Sequence, residues 1–183
     1  MVLAGASLGS TAVMAQDDIS SSPQELDLVD NSAYFGDTFG ADNAGNTFAD
    51  QFTFSVADTI GYNLDAAIVS YSNLTNGGLD ITNLALYGAD DVLVTAGTEL
   101  SSGALDLWML SSGNLAAGDY YLQVSGSLVA DTAASFGGSV MLAPVPEPET
   151  YGMLLGGLAV VGLVARRRGK ARPGQAGIEA AGR

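Results

Sequence analysis

The 183-residue chain has no cysteine, no histidine, and no lysine or arginine before Arg166. Without cysteine there are no disulfides, thiolate metal sites or cysteine nucleophile. Without histidine the chain lacks the side chain that most often moves protons near neutral pH. Without bases up to Ala165, nothing clamps a phosphate or forms a Schiff base, and a body of one negative sign is repelled by nucleic-acid backbones. Any catalyst built here has only carboxylates, hydroxyls and amides. Two-carboxylate glycan hydrolysis needs nothing else. The expectation is therefore a non-enzymatic protein that binds no nucleic acid, with such a hydrolase as the alternative.

What charge there is, is segregated. Formal net charge is −14; all six bases (Arg166, Arg167, Arg168, Lys170, Arg172, Arg183) follow Ala165, whereas 19 of the 20 acids precede Arg166. The chain is an anionic body with a small cationic tail.

Residues 1–15, MVLAGASLGSTAVMA, are small, apolar and uncharged. Val13-Met14-Ala15 before Gln16 fits a signal-peptidase site, so 1–15 is expected to be a signal peptide. The positive n-region of such peptides is missing, as it is when a start lies upstream of Met1. The abrupt change to the acidic QDDISSSPQE marks the start of the body, 16–144. A first buried strand or helix is the alternative for 1–15. An exported chain without cysteine suits a bacterial envelope.

At the other end, 151–165 is a run of fifteen uncharged, mostly apolar residues, followed by Arg166-Arg167-Arg168. As a helix it spans about 22 Å, short of the ~30 Å hydrocarbon core. Its four leucines and three valines supply roughly −3 kcal/mol of insertion free energy before its glycines are counted. The expectation is one short transmembrane helix over 151–165. The arginines stop transfer and leave 169–183 as a disordered cytoplasmic extension.

Val145-Pro146-Glu147-Pro148, the apolar run and the arginine cluster together resemble the PEP-CTERM protein-sorting signal over 145–168. The resemblance implies export in a Gram-negative bacterium that makes exopolysaccharide. It also implies recognition and processing of the tail by a membrane-embedded exosortase, and a working place in the envelope or extracellular matrix. The prolines fit that role: each lacks an N–H and disfavours helix in the residue before it, so the stub should stay extended for a protease. An ordinary linker to a permanent anchor is the alternative.

The body reads as all-β. Phe52, Phe54 and Val56 alternate with polar neighbours in QFTFSV, and similar short runs follow at 63–71, 79–87, 91–95, 104–110, 119–129 and 135–142. Turn signals such as Asn76-Gly77-Gly78 and Ser101-Ser102-Gly103 separate them. No run keeps a helical stripe, which predicts an antiparallel, jelly-roll-like β-sandwich. The core is expected to hold Phe52, Phe54, Leu64, Ile81, Leu84, Leu86, Leu105, Leu107, Tyr120, Leu122 and Val124.

Phe35-Gly36-Asp37-Thr38-Phe39 matches the F-x-D-x-F motif carried by a subset of PEP-CTERM proteins near their signal peptide. Structurally, Phe35 and Phe39 are expected to pin an edge strand, with Asp37 turned outward. QFTFSVAD, LDITNLALYGAD and LAAGDYYLQVSGS resemble the bacterial pre-peptidase C-terminal domain over 47–127, which implies a small β-sandwich associated with calcium or matrix polymers. Calcium takes roughly six to eight hard oxygens. The candidate ligands are Asp30, Asp37, Asp42 and Asp50 in one Gly-rich stretch, and Asp90 and Asp91 at a turn. Their spacing is not that of an EF-hand loop, and a solvated anionic surface is the alternative. No other cofactor is expected.

Overall fold

In the strand Thr47–Val56, Phe48, Asp50, Phe52, Phe54 and Val56 are buried while Ala49, Gln51, Thr53 and Ser55 face outward. That period of two is what a strand with one face on a core requires, and most of the chain repeats it. The computed structural model describes residues 16–57, 61–73, 78–145 and 148–169. It divides into two units, Met1–Val145 and Pro146–Arg183.

Among the described residues the first unit holds ten strands: β1 (Gln24–Glu25), β2 (Ser32–Phe39), β3 (Thr47–Val56), β4 (Tyr62–Tyr71), β5 (Leu79–Gly88), β6 (Leu93–Ala96), β7 (Thr98–Ser101), β8 (Leu105–Leu115), β9 (Gly118–Leu128) and β10 (Ala134–Pro144). They form two five-stranded sheets, ordered β1-β3-β9-β5-β6 and β2-β10-β4-β8-β7. All pairings are antiparallel except β1 with β3. Rings from the two sheets meet between them: Phe35 of β2 and Phe52 of β3 at 4.8 Å, and Phe39 and Phe48 at 4.6 Å. The expected sandwich is therefore present, and of the expected core Phe52, Phe54, Leu64, Ile81, Leu84, Leu86, Leu122 and Val124 are buried. Among the turns, Asp30 and Asn31 both have positive φ between the paired Val29 and Ser32. That is the two-residue hairpin geometry Asp and Asn tolerate.

Strand β8 departs from the expected register. Leu105 is exposed and Leu107 half-buried, while Asp106 and Leu110 are buried and Trp108 packs on the core. The cause is polar. Strand β5 slips register against β9 between Ile81 and Asn83, and β8 side chains take up the backbone of Ile81. Asp106 accepts its N–H at 3.2 Å and that of Gly103 at 2.8 Å, and Trp108 donates to its carbonyl. Burial pushes the Asp106 carboxyl up, and these two backbone donors oppose the shift. Tyr120, also expected in the core, is half-buried, with its ring stacked on Phe54 and its hydroxyl donating to Ala116 O.

The second unit is the helix α1 (Pro148–Gly169). It starts at Pro148 rather than at residue 151, because a proline fits the first helical position, where its missing N–H has no partner to lose. The described part of the stub is thus helical from Pro148 on. Among the described residues no helix is long and apolar enough to cross a membrane. The membrane-spanning helix expected at 151–165 is thus not confirmed: these residues form a short apolar helix, diluted by glycine and closed by arginines. Residues 1–15, Pro146, Glu147 and 170–183 lie outside the described residues.

Candidate functional site

Three places gather the chemistry of this chain. The first is the tail. Val145 closes the first unit, donating its N–H to Gly61 O at 2.8 Å. Pro148 and Glu149 open α1, and Arg166 and Arg167 lie exposed in its last turns, with Arg168 following. Cations there oppose the negative end of the helix dipole. Between them Met153, Leu154, Leu155, Leu158, Val160, Val161 and Leu163 are all at least 60% exposed. So many uncovered apolar side chains mark a surface made for a partner or a lipid phase.

The second place lies between the sheets. Asp37 shares a face of β2 with the buried Phe35 and Phe39 and is itself half-buried there, against Ser21 and Asp50; the expectation that it turns outward is overturned. Opposite it on β3 stands Asp50, only 1% exposed. The sequence there, Phe48-Ala49-Asp50-Gln51-Phe52, is a second F-x-D-x-F, a signal that was legible and missed. The two copies face one another antiparallel. Phe35 meets Phe52, Phe39 meets Phe48, and the aspartates lie against each other between these ring pairs.

Residues 17–21 run beside this layer as a strap. The Ser21 N–H donates to Asp50 Oδ1 at 2.7 Å, and its hydroxyl donates to Asp37 Oδ2. Asp37 Oδ1 accepts the N–H of Thr38 at 2.6 Å. Asp50 Oδ2 is buried and accepts nothing. Burial pushes the Asp50 carboxyl up to about 6; the Ser21 N–H opposes this, and the charges of Asp37 and Asp18 add to it. Asp18 itself is held below the usual carboxylate range by hydrogen bonds from Ser20.

The third place is a cavity of about 450 Å³ on the outer face of the first sheet, lined by Glu25, Gln51, Thr53, Asp91, Asp119 and Tyr121 among others. Tyr121 stacks on Tyr87 at 5.1 Å and donates its hydroxyl to Asp91 at 2.9 Å. Desolvation first, then Asp91, pushes its phenol up to about 12. Ser55 Oγ donates to Asp119 at 2.6 Å.

The six candidate calcium ligands do not come together. Asp30 and Asp42 sit in separate exposed turns, Asp37 and Asp50 form the interior pair, and Asp90 and Asp91 lie in the β5–β6 turn. Among the described residues no three acidic side chains are placed to hold a metal. Around Asp37 and Asp50 the hydrogen-bond donors are the Ser21 N–H and hydroxyl and the Thr38 N–H.

Residues 144–168 match the model of the PEP-CTERM protein-sorting motif. No curated protein matches the chain. Among solved structures, it is similar to the pre-peptidase C-terminal domain of a collagenase from Bacillus anthracis at 17% identity, covering 69% of this chain and 96% of that one, with a TM-score of 0.38. It is also similar to the VP2 subviral particle of infectious bursal disease virus at 13% identity, covering 77% of this chain and 49% of that one, with a TM-score of 0.19.

Proposed function

We propose that this chain, which carries a PEP-CTERM protein-sorting motif at its C-terminal end, is an exported, non-enzymatic protein of a Gram-negative cell envelope or extracellular matrix. An exosortase recognises the tail and processes it, and the body then works within an exopolysaccharide layer. The observation that carries this reading is the three-part tail: a Pro-Glu-Pro stub, an exposed apolar helix and an arginine cluster, in order within 144–168. The division of the chain between Val145 and Pro146 supports it, because a cut at the stub leaves the body whole. The short helix supports a temporary hold in the membrane more than a lasting one, since about 20 apolar residues are needed to span it.

The outer-face cavity supports association with a glycan. Its carboxylates, Gln51 amide and Thr53 hydroxyl offer many acceptors beside an aromatic ring, and it has no cation. Such a lining suits hydroxyl-rich, uncharged chains and repels acidic ones. The same carboxylates are what a glycan hydrolase would use. Asp91 and Asp119, however, already hold the hydroxyls of Tyr121 and Ser55, which favours binding over turnover.

The test is the intact mass of the protein released by its own host, beside a variant with Pro146, Glu147 and Pro148 changed to alanine. The expected wild-type product ends near residues 145–150, while the variant keeps its tail in the membrane fraction. If both retain residues 151–168, the tail is a permanent anchor and the sorting reading fails.

A further inference from the structure

Among the described residues, one buried side-chain polar atom lacks a hydrogen-bond partner, and it lies in the two facing F-x-D-x-F segments. Asp37 uses both carboxylate oxygens as acceptors, toward the Thr38 N–H and the Ser21 hydroxyl. Asp50 uses Oδ1 as an acceptor for Ser21 N–H, while its buried Oδ2 accepts nothing. A bare carboxylate oxygen sealed from water is costly in an apolar interior. Proteins avoid that cost with a cation or with a proton. No side chain of the body supplies the cation, because no lysine, arginine or histidine occurs before Arg166. Two adjacent carboxylates in one dry layer cannot both stay ionised cheaply.

We infer that Asp37 and Asp50 form a proton-binding site in which one proton, carried on Asp50 Oδ2 and donated to Asp37, joins the two sheets and fastens the 17–21 strap to them. The groups that bear on it are few. Asp18 on the strap adds negative charge and strengthens the hold on the proton, and Ser21 N–H on the same strap weakens it. The neighbours along β2 and β3 are phenylalanine rings, and Phe136 of β10 lies beside Phe48 and Phe52. Because two serine donors and the proton meet at one layer, losing the proton sets two like charges against each other beneath the strap.

The sign follows from linkage. The Asp50 carboxyl titrates higher in the fold, at about 6, than the usual carboxylate value of 3.8. The stabilisation is complete in acid below the unfolded value and is lost as pH rises through the folded one. The device is a latch that is fast in acid and strained in neutral solution. It gives Asp37 of the F-x-D-x-F motif a physical task beyond strand packing.

Thermal unfolding of the full chain, followed from about pH 5 to about pH 8, tests this together with Asp50→Asn, whose amide supplies the missing donor at every pH. The wild-type midpoint is expected to fall by roughly 5 °C over that range, and the Asp50→Asn profile to lose most of that slope. A flat wild-type profile, or an undiminished slope in Asp50→Asn, overturns the inference. Calcium is the control: if millimolar calcium removes the wild-type slope at neutral pH and Asp50→Asn abolishes that effect, the pair holds a cation and not a proton. Should Asp50→Asn not fold, infrared difference spectra of the wild type decide. A protonated-carboxyl C=O band that persists at about pH 5 and vanishes by about pH 8 sustains the site; its absence at about pH 5 refutes it.

Discussion

Trp108 of β8 donates its indole N–H to the carbonyl oxygen of Ile81 on β5 at 3.1 Å, so a side chain of one sheet satisfies the backbone of the other. Asp106, two residues earlier, accepts the N–H of the same residue. Together they tie the sheets at the point where β5 breaks step with β9. Asp106→Ala leaves buried donors unpaired and is expected to cost about 2–3 kcal/mol; Trp108→Phe, which removes one donor, is expected to cost about 1–2 kcal/mol. Urea unfolding with an unchanged m-value measures both. A loss under about 0.5 kcal/mol for Asp106→Ala would show that water reaches Ile81.

The inverted register of β8 makes a second, opposed pair. Leu110→Ala empties a site that is 2% exposed and is expected to cost about 2–5 kcal/mol. Leu105→Ala acts on a side chain left 42% exposed and is expected to change stability by no more than about 0.5 kcal/mol. The reverse ranking in chemical denaturation would restore the simple alternation read from LDLWML.

Gly126 lies where β9 passes under the Phe48 ring. A Cβ there would stand 2.3 Å from the backbone oxygen of Asp80 and 2.7 Å from that ring, whereas one on Gly137 of β10 meets nothing within 4 Å. Gly126→Ala should therefore cost about 2 kcal/mol or more, since a backbone atom must move. Gly137→Ala should be nearly neutral. Equal midpoints for the two variants would contradict the close approach.

The Tyr121 phenol should ionise well above the ordinary tyrosine value, because desolvation and the Asp91 carboxylate both oppose a phenolate. Alkaline titration followed by the carbon-13 signal of its ring Cζ is expected to place it near 12, and Asp91→Asn to bring it down. Ionisation of Tyr121 at the ordinary tyrosine value of 10.0 would argue against the hydroxyl–carboxylate contact that forms one wall of the cavity.

Much of this architecture was legible in residue order. Phe52, Phe54 and Val56 alternate because β3 has one wet face, and the same period located β4, β5, β9 and β10. The short β1 and β7 carry no such signal: each is an edge piece of at most four residues and mostly exposed. Strand β8 misled because hydropathy counts leucines and cannot see that Asp106 and Trp108 are required inside by a backbone irregularity at Ile81 of β5, 25 and 27 residues away along the chain; the information lies in tertiary pairing, not in the segment. Asp37 misled for the same reason. A lone aspartate between phenylalanines reads as solvent-facing until its counterpart, Asp50, is found at the same spacing thirteen positions on. The tail was legible because its signal is linear: stub, apolar run and arginines act in order along the chain.

The confinement of every lysine and arginine to the far side of Ala165 also decides how this protein can be detected. Trypsin cuts only after those residues, so a body trimmed at the stub contains no tryptic site and yields no ordinary peptides. It carries no side-chain amine either, so amine-directed dyes and cross-linkers reach at most its N-terminus. A proteome surveyed with trypsin would register the discarded tail and overlook the delivered domain. Cleavage beside acidic or aromatic residues would recover it.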